Sequence, residues 1–105
     1  MLVRPFTPDF SFTVTVTTVN AATAFGAGAG ETVEVYNAGT VPVFFTFGTS
    51  AATAAVPTGT AAKHSSCIAP GVTKAYTREP TTQTHFAAIT ASTTAVIYVS
   101  TGEGQ

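Results

Sequence analysis

The residues that could take part in chemistry are few and widely spaced in this chain. It has one cysteine, Cys67, and two histidines, His64 and His85, and its single aspartate is Asp9. Structural zinc needs four ligands, and His64 and Cys67 have no clustered carboxylates beside them to complete a set. A cysteine nucleophile needs a base oriented by a third group, and Asp9 lies far from either histidine in the chain. We therefore predict no bound metal or cofactor, no enzymatic activity, and a buried or half-buried Cys67 without a chemical role.

The other candidate sites also have simpler interpretations. The four glutamates, Glu31, Glu34, Glu79 and Glu103, could pair as in a glycoside hydrolase, but the chain has no Trp on which a sugar would stack. Solvent-facing charges that discourage strand edges from pairing explain them more simply. The run from Gly26 to Gly30 lacks the spacing of a dinucleotide-binding loop and is predicted to be a flexible loop. His85 opens a predicted strand, where it is expected to form hydrogen bonds.

The elements that position these residues are read from apolar residues alternating with polar ones. Residues 33 to 48 read as two strands joined by a turn at Asn37 to Thr40, because Asn and Gly allow the backbone to reverse. Ser11 to Val19 alternates strictly and predicts another strand. We predict that residues 33 to 48 form one hairpin, which organises the core.

The rest of the chain continues the same pattern. Short strands are predicted around residues 54 to 56 and 66 to 68, with a type II turn at Pro70-Gly71 and a polar, exposed strand over 72 to 78. A last hairpin is predicted over 85 to 100. This spacing predicts an all-β fold, a small β-sandwich or jelly-roll-like antiparallel barrel. The predicted core comprises Val14, Val16, Val33, Val35, Val43, Phe45, Phe47, Ile89, Ile97 and Val99.

Composition excludes several kinds of partner. Only 9% of the residues are charged, against about 25% in an average soluble protein. The four basic residues form no cluster, so nucleic acid is not an expected partner. The N-terminal residues lack the apolar run of a signal peptide, and no apolar stretch approaches the length of a membrane span. We expect a protein made in the cytoplasm, and kept there or in a particle assembled there, whose weakly charged surface favours assembly.

The first ten residues differ from the remainder. Pro5 and Pro8 flank Phe6 and exclude a helix, so residues 1–10 are predicted to form an extended arm before a single domain over 11–105. Phe6 and Phe10 would be aromatic anchors at an interface, and Arg4 could bind a carboxylate of the partner. The alternative makes this segment a disordered tail and places binding on the threonine-rich sheet faces or on the loop from Thr58 to Ser65.

Three stretches resemble a family of small virion accessory proteins of tailed bacteriophages. They are Val35-Tyr-Asn-Ala-Gly-Thr-Val-Pro-Val-Phe-Phe-Thr-Phe-Gly48, Thr84-His-Phe-Ala-Ala-Ile-Thr90 and Val99-Ser-Thr-Gly-Glu-Gly104. Ala69-Pro70-Gly71 stands where that family has a Pro-Ala-Gly-like turn, while Ser100-Thr101 replaces its Thr-Pro pair. The resemblance covers residues 33 to 104 and leaves the N-terminal arm outside.

The resemblance implies a capsid decoration, or cement, protein. Such proteins are β-sandwich or jelly-roll units that sit as oligomers on the outer face of a phage head and tie capsid subunits together. It implies the major capsid protein as partner, a homo-oligomer with a trimer favoured over a dimer, and a place in the virion after assembly in the host bacterial cytoplasm. The alternative is a receptor- or carbohydrate-binding module of a virion appendage, such as a head fibre or tail.

Overall fold

The chain folds as an all-β protein, as predicted. The computed structural model describes residues 7–26, 29–59 and 65–103, and these contain eight strands and no helix. The strands are β1 (Thr7–Val16), β2 (Ala21–Ala24), β3 (Thr32–Asn37), β4 (Val43–Gly48), β5 (Ser66–Ile68), β6 (Thr73–Thr77), β7 (His85–Thr90) and β8 (Ala95–Glu103). Threonine is the most frequent residue in them, and the branched or aromatic side chains of threonine, valine and phenylalanine suit a pleated strand.

The strands form two four-stranded antiparallel sheets. The first sheet has the order β1-β8-β3-β6 and the second has the order β2-β7-β4-β5. Strand β1 therefore pairs with β8, β2 with β7, β3 with β6, and β4 with β5. This nested pairing is that of a long hairpin rolled up on itself, which is the topology of a jelly roll. The prediction of a small jelly-roll-like sandwich is confirmed.

The two predicted hairpins are wrong. Strands β3 and β4 lie in opposite sheets, and so do β7 and β8, so each connection crosses the edge of the sandwich. Asn37 shows how the first crossing is held, because its amide donates to the carbonyls of Val41 and Ile68 at 2.9 and 3.0 Å. Its Oδ1 accepts from the Gly39 N–H at 2.9 Å. The turn residues were identified correctly, but they redirect the chain to the other sheet.

The type II turn is confirmed. The Val72 N–H donates to the Ala69 carbonyl at 3.2 Å, and Gly71 has a φ of 77°, which glycine adopts without strain. Gly71 also donates its N–H to the Asn37 carbonyl at 2.8 Å, so this turn is tied to the crossing loop.

The core lies between the sheets and contains most of the residues predicted for it. Val16, Val33, Val35, Val43, Phe45, Ile97 and Val99 are buried, and Val14 and Phe47 are partly buried against them. Ile89 is an exception, because it is half-buried and pairs with Phe44, whose neighbours Val43 and Phe45 point into the core. The large buried side chains of Phe25, Ile68 and Phe86 were not among the predicted core residues.

Several element boundaries differ from those predicted. Residues 7–10, assigned to the arm, belong to β1, where Thr7 pairs with Glu103 and a bulge separates Pro8 from Phe10. Residues 21–24, for which no strand was predicted, form β2, while residues 54–56, predicted as a short strand, form none. The remainder of the predicted arm, residues 1–6, lies outside the described residues.

Candidate interaction surface

Phe10 is the one predicted interface residue that the structure describes, since Arg4 and Phe6 lie outside the described ranges. Its side chain is 41% exposed, and it faces Thr101 across the β1–β8 pair. The ring lies over Gly26, where an added Cβ would be 2.8 Å from the ring Cδ1. One face of the Phe10 ring therefore packs against the end of the sandwich, and the other face is accessible to solvent.

A polar cluster holds the chain beside Phe10. The Asp9 carboxylate accepts hydrogen bonds from the Gly30 N–H at 2.9 Å and from the Thr101 hydroxyl at 2.6 Å. A Cβ on Gly30 would lie 2.1 Å from the Gly102 carbonyl oxygen, so only glycine fits at this approach. The cluster ties the beginning of β1 to the end of β8 and to the loop before β3.

Arg78 binds the same loop before β3 that Asp9 contacts. It was predicted at the end of an exposed strand, but it follows β6 and is only 4% exposed. Its guanidinium donates to the carbonyls of Gly30, Ala29 and Gln83 at 3.0, 2.7 and 2.8 Å, and Cζ lies 4.5 Å from the centroid of the Phe25 ring. Burial lowers the pKa of Arg78 and the charge of Asp9 opposes that effect, but an arginine remains protonated. Because its contacts are backbone carbonyls and a ring, Arg78 is structural.

The turn after Arg78 is closed by Glu79. Its carboxylate accepts from the hydroxyl and the N–H of Thr81 at 2.8 and 3.2 Å, and its own N–H donates to the Gln83 side chain at 2.7 Å. The hydrogen bonds from Thr81, the hydroxyl first, lower the pKa of Glu79. The ionised carboxylate thus stabilises the turn that presents the Gln83 carbonyl to Arg78.

We expect Thr81→Ala to raise the pKa of Glu79 towards its ordinary value, because the principal hydrogen bond to the carboxylate is lost. In the wild type, the folded-state pKa lies below the unfolded value of about 4.3. The Glu79 carboxylate therefore contributes to stability at pH values above the unfolded-state pKa. This contribution is lost as the pH falls through the folded-state pKa. NMR titration of the Glu79 carboxyl carbon measures the shift. Thr82→Ala, an exposed neighbour in the same turn, is the control, and equal pKa values in both variants would contradict this assignment.

The most exposed aromatic surface is the outer side of the first sheet, which we call the tyrosine face. It comprises Ser11, Thr13, Thr15, Glu34, Tyr36, Thr73, Ala75, Val96, Tyr98 and Ser100. Tyr36 and Tyr98 are directly opposite each other on β3 and β8, with ring centroids 6.1 Å apart and ring planes at 23°. They are 39% and 49% exposed. A stacked tyrosine pair thus stands at the middle of a four-strand surface.

The tyrosine face has few charges and many hydroxyl groups. Of its residues only Glu34 carries a charge, and it is half-buried. Hydroxyls of threonine, serine and tyrosine cover most of the remainder, and Val96 adds apolar area at 38% exposure. Tyrosine is enriched at the energetic centres of protein interfaces, where charged residues are depleted. The threonine-rich sheet faces were an alternative binding surface in the sequence, but the pairing of Tyr36 with Tyr98 was not predicted, although aromatic residues at outward positions of two strands were the available signal.

The residues considered for catalysis or metal binding are not brought together. Cys67 is exposed on the edge strand β5 with a free thiol, so the prediction that it is buried or half-buried is wrong. His85 begins β7 as predicted, and its Nδ1 lies 2.9 Å from the Thr84 hydroxyl. His64 lies outside the described residues. Within the described ranges, no three His, Cys, Asp or Glu residues form a group that could hold a metal ion.

Comparison with known proteins gives no relative for this chain. No protein-family model, curated protein or solved structure matches it. In the part of the chain that the structure describes, no helix has the length and apolar character needed to cross a membrane.

Proposed function

We propose that this protein is a structural component of a bacteriophage virion, a decoration or cement protein that binds the outer head surface and stabilises the shell. The tyrosine face carries the proposal, because it offers a broad, nearly uncharged area with the exposed pair Tyr36 and Tyr98 at its middle. The resemblance of residues 33 to 104 to virion accessory proteins supports it, and so does the jelly-roll topology, which occurs in viral capsid domains.

A cement protein acts by burying area between neighbours and needs no catalysis. Apolar surface removed from water contributes about 25 cal/mol per Å², and a standard interface buries about 800 Å² on each partner. The tyrosine face contributes aromatic rings and short hydroxyl side chains, which lose little conformational entropy when they are ordered. Each copy bound across two capsid subunits would add its interface energy to the shell.

The proposed partners are the major capsid protein and other copies of this chain. The family resemblance favours a trimer over a dimer. We propose that residues 1–6 supply part of the contact through Arg4 and Phe6, with the exposed side of Phe10 beside them. The low charge of the surface fits a protein partner better than nucleic acid.

Binding to heads that lack the protein tests this proposal. Full-length protein is expected to decorate them at regular symmetry positions in cryo-electron microscopy. The double variant Tyr36→Thr/Tyr98→Thr should decorate at much lower occupancy, because threonine suits the strands but removes both rings. Val19→Thr is the matched control, since Val19 is a 71% exposed apolar residue outside the tyrosine face. Heads that stay bare with full-length protein would overturn the proposal.

The contribution of the arm is tested with a deletion of residues 1–6. A deletion of 1–10 would remove Asp9, which bonds to Gly30 and Thr101, and would damage the fold itself. We expect the shorter deletion to lower head occupancy while leaving the thermal unfolding midpoint unchanged. Equal occupancy would leave the cement role intact and remove the arm from the interface.

A receptor- or carbohydrate-binding module on a virion appendage is the second candidate. The observation that favours it is the same tyrosine pair, because sugar rings stack on exposed aromatic faces, and Glu34 faces Ser100 next to the pair. Saturable glycan binding by the wild-type protein, lost in the Tyr36→Thr/Tyr98→Thr variant, together with bare heads, would replace the cement role with this one.

A further inference from the structure

Among the described residues, strand β1 is an open sheet edge, and its residues 10–16 lack the usual protection. It is the longest strand, with 10 residues, and among the described residues it pairs only with β8. From Phe10 to Val16 it has no charge, no proline and no bulge, and these are the features that normally prevent edges from pairing. The other edges differ, because β6 carries Lys74, and β2 and β5 have only four and three residues.

The register shows which backbone groups of β8 point towards β1. The Ala38 N–H donates to the Val96 carbonyl at 2.9 Å, so Val96 directs its backbone groups towards β3. Backbone direction alternates along a strand, so Tyr98 also points towards β3, whereas Ile97 and Val99 point towards β1.

The same alternation identifies the free groups of β1. Ile97 and Val99 pair with Val14 and Phe12, so the backbone groups of these two residues are used within the chain. The residues between and beside them, Ser11, Thr13 and Thr15, must then direct their N–H and C=O groups away from β8. They form a row of donors and acceptors along the open edge.

We propose that two copies of this chain pair antiparallel through β1, about a twofold axis at Thr13. In that register Thr13 faces Thr13 of the second copy, and Ser11 faces Thr15 in both directions. The three outward residues of each copy then meet one another, which provides about six backbone hydrogen bonds at two per pair. A twofold contact of this kind is self-complementary and closed.

The side chains suit the same register. Phe12 and Val14, which point inward, would face each other across the two copies. Both are only half-buried in the single chain, whereas the next inward residue, Val16, is 2% exposed. Pairing would cover them and would extend the core into the second copy. On the outer side, Thr13 would meet its own equivalent, and hydroxyl pairs of this kind stabilise antiparallel strands.

The pairing does not depend on the capsid role. It would join two four-stranded sheets into one of eight strands and would place two tyrosine faces on the same side. Because the contact is twofold, it joins copies in pairs. The product is a dimer or, if the chain also forms trimers, an assembly with an even number of copies.

Cysteine cross-linking tests the proposed axis. Only a residue at a twofold axis lies next to itself, and in a hydrogen-bonded antiparallel pair the Cα atoms are about 5.5 Å apart, within disulfide range. Thr13→Cys is made with Cys67→Ser, since the Cys67 thiol is exposed and free. We expect a disulfide-linked dimer as the main product of mild oxidation.

Ser11→Cys with the same Cys67→Ser change is the control, because its sulfurs would be about 14 Å apart along the strands. Equal cross-linking of both variants would overturn the proposed register.

Sedimentation of the reduced protein provides the second measurement. The wild type should form a dimer or hexamer, and Thr13→Pro should raise the dissociation constant of the twofold contact at least tenfold, because it removes an outward N–H. Thr13→Val keeps that N–H and loses only the hydroxyl pair, so it should associate far more tightly than Thr13→Pro. A wild type that stays a monomer or a trimer at high concentration would overturn the proposal. So would a dimer that appears only after deletion of residues 1–6, since the edge would then be occupied by the chain's own arm.

Discussion

Replacing Phe45 by alanine should lower the free energy of unfolding by about 3 to 5 kcal/mol. Phe45 is 1% exposed, and its ring centroid lies 5.2 to 5.8 Å from those of Tyr76, Phe86 and Phe47. Tyr76 belongs to the first sheet and the other two to the second, so the cavity would open between the sheets. Urea denaturation followed by circular dichroism measures the loss.

Phe44→Ala is the matched control for this variant. Phe44 directly precedes Phe45 and has the same side chain. It is half-buried, whereas Phe45 is buried. We expect a clearly smaller loss of stability, because its ring is already partly in water in the folded state. Equal losses for both variants, or a loss below about 1 kcal/mol for Phe45→Ala, would contradict the described packing.

The second large effect is expected at Arg78. Arg78→Met retains much of the side-chain length but removes the hydrogen bonds to the carbonyls of Ala29, Gly30 and Gln83. Each buried polar group left without a partner costs about 1 to 3 kcal/mol, and three carbonyls lose their donor, so the total loss should be at least about 3 kcal/mol. Chemical denaturation measures it, and hydrogen exchange should show faster opening of the Arg78 N–H, which donates to Glu31 at 2.7 Å.

Two further variants test whether the loss of stability depends on the buried position of Arg78 or only on its positive charge. Lys74→Met removes a cation from the exposed edge strand β6 and should change stability little. Arg78→Lys keeps the charge but loses the planar fork of donors, so it should fall between the wild type and Arg78→Met. Comparable losses in Lys74→Met and Arg78→Met would show that the buried hydrogen bonds at Arg78 do not stabilise the fold.

The alternation of side chains along the chain was enough to predict the fold class and most of the strands. Side-chain alternation is a local property, because successive residues on a strand point to opposite faces whatever the strand pairs with. It therefore identified Val33 and Val35 as buried, and Pro70-Gly71 was predicted as a turn from the backbone preferences of those two residues alone.

The tertiary structure alone decided which strands are neighbours. Asn37 and Gly39 were correctly identified as turn residues, but a hairpin and a crossing between sheets use the same local chemistry. The choice depends on the hydrogen bond from Asn37 to the distant Ile68 carbonyl and on the nested pairing of β3 with β6 and β8. Such contacts join residues far apart in the chain, so no local pattern encodes them.

The same reason explains what was missed at the candidate sites. Arg78 looks like an exposed strand residue in the sequence, because two of the carbonyls that bind it, those of Ala29 and Gly30, come from a distant loop. The tyrosine face exists only because the register of β3 against β8 places Tyr36 beside Tyr98. The sequence determines which side chains point outward, but strand order and register decide which of them share a surface, and these are fixed by long-range packing.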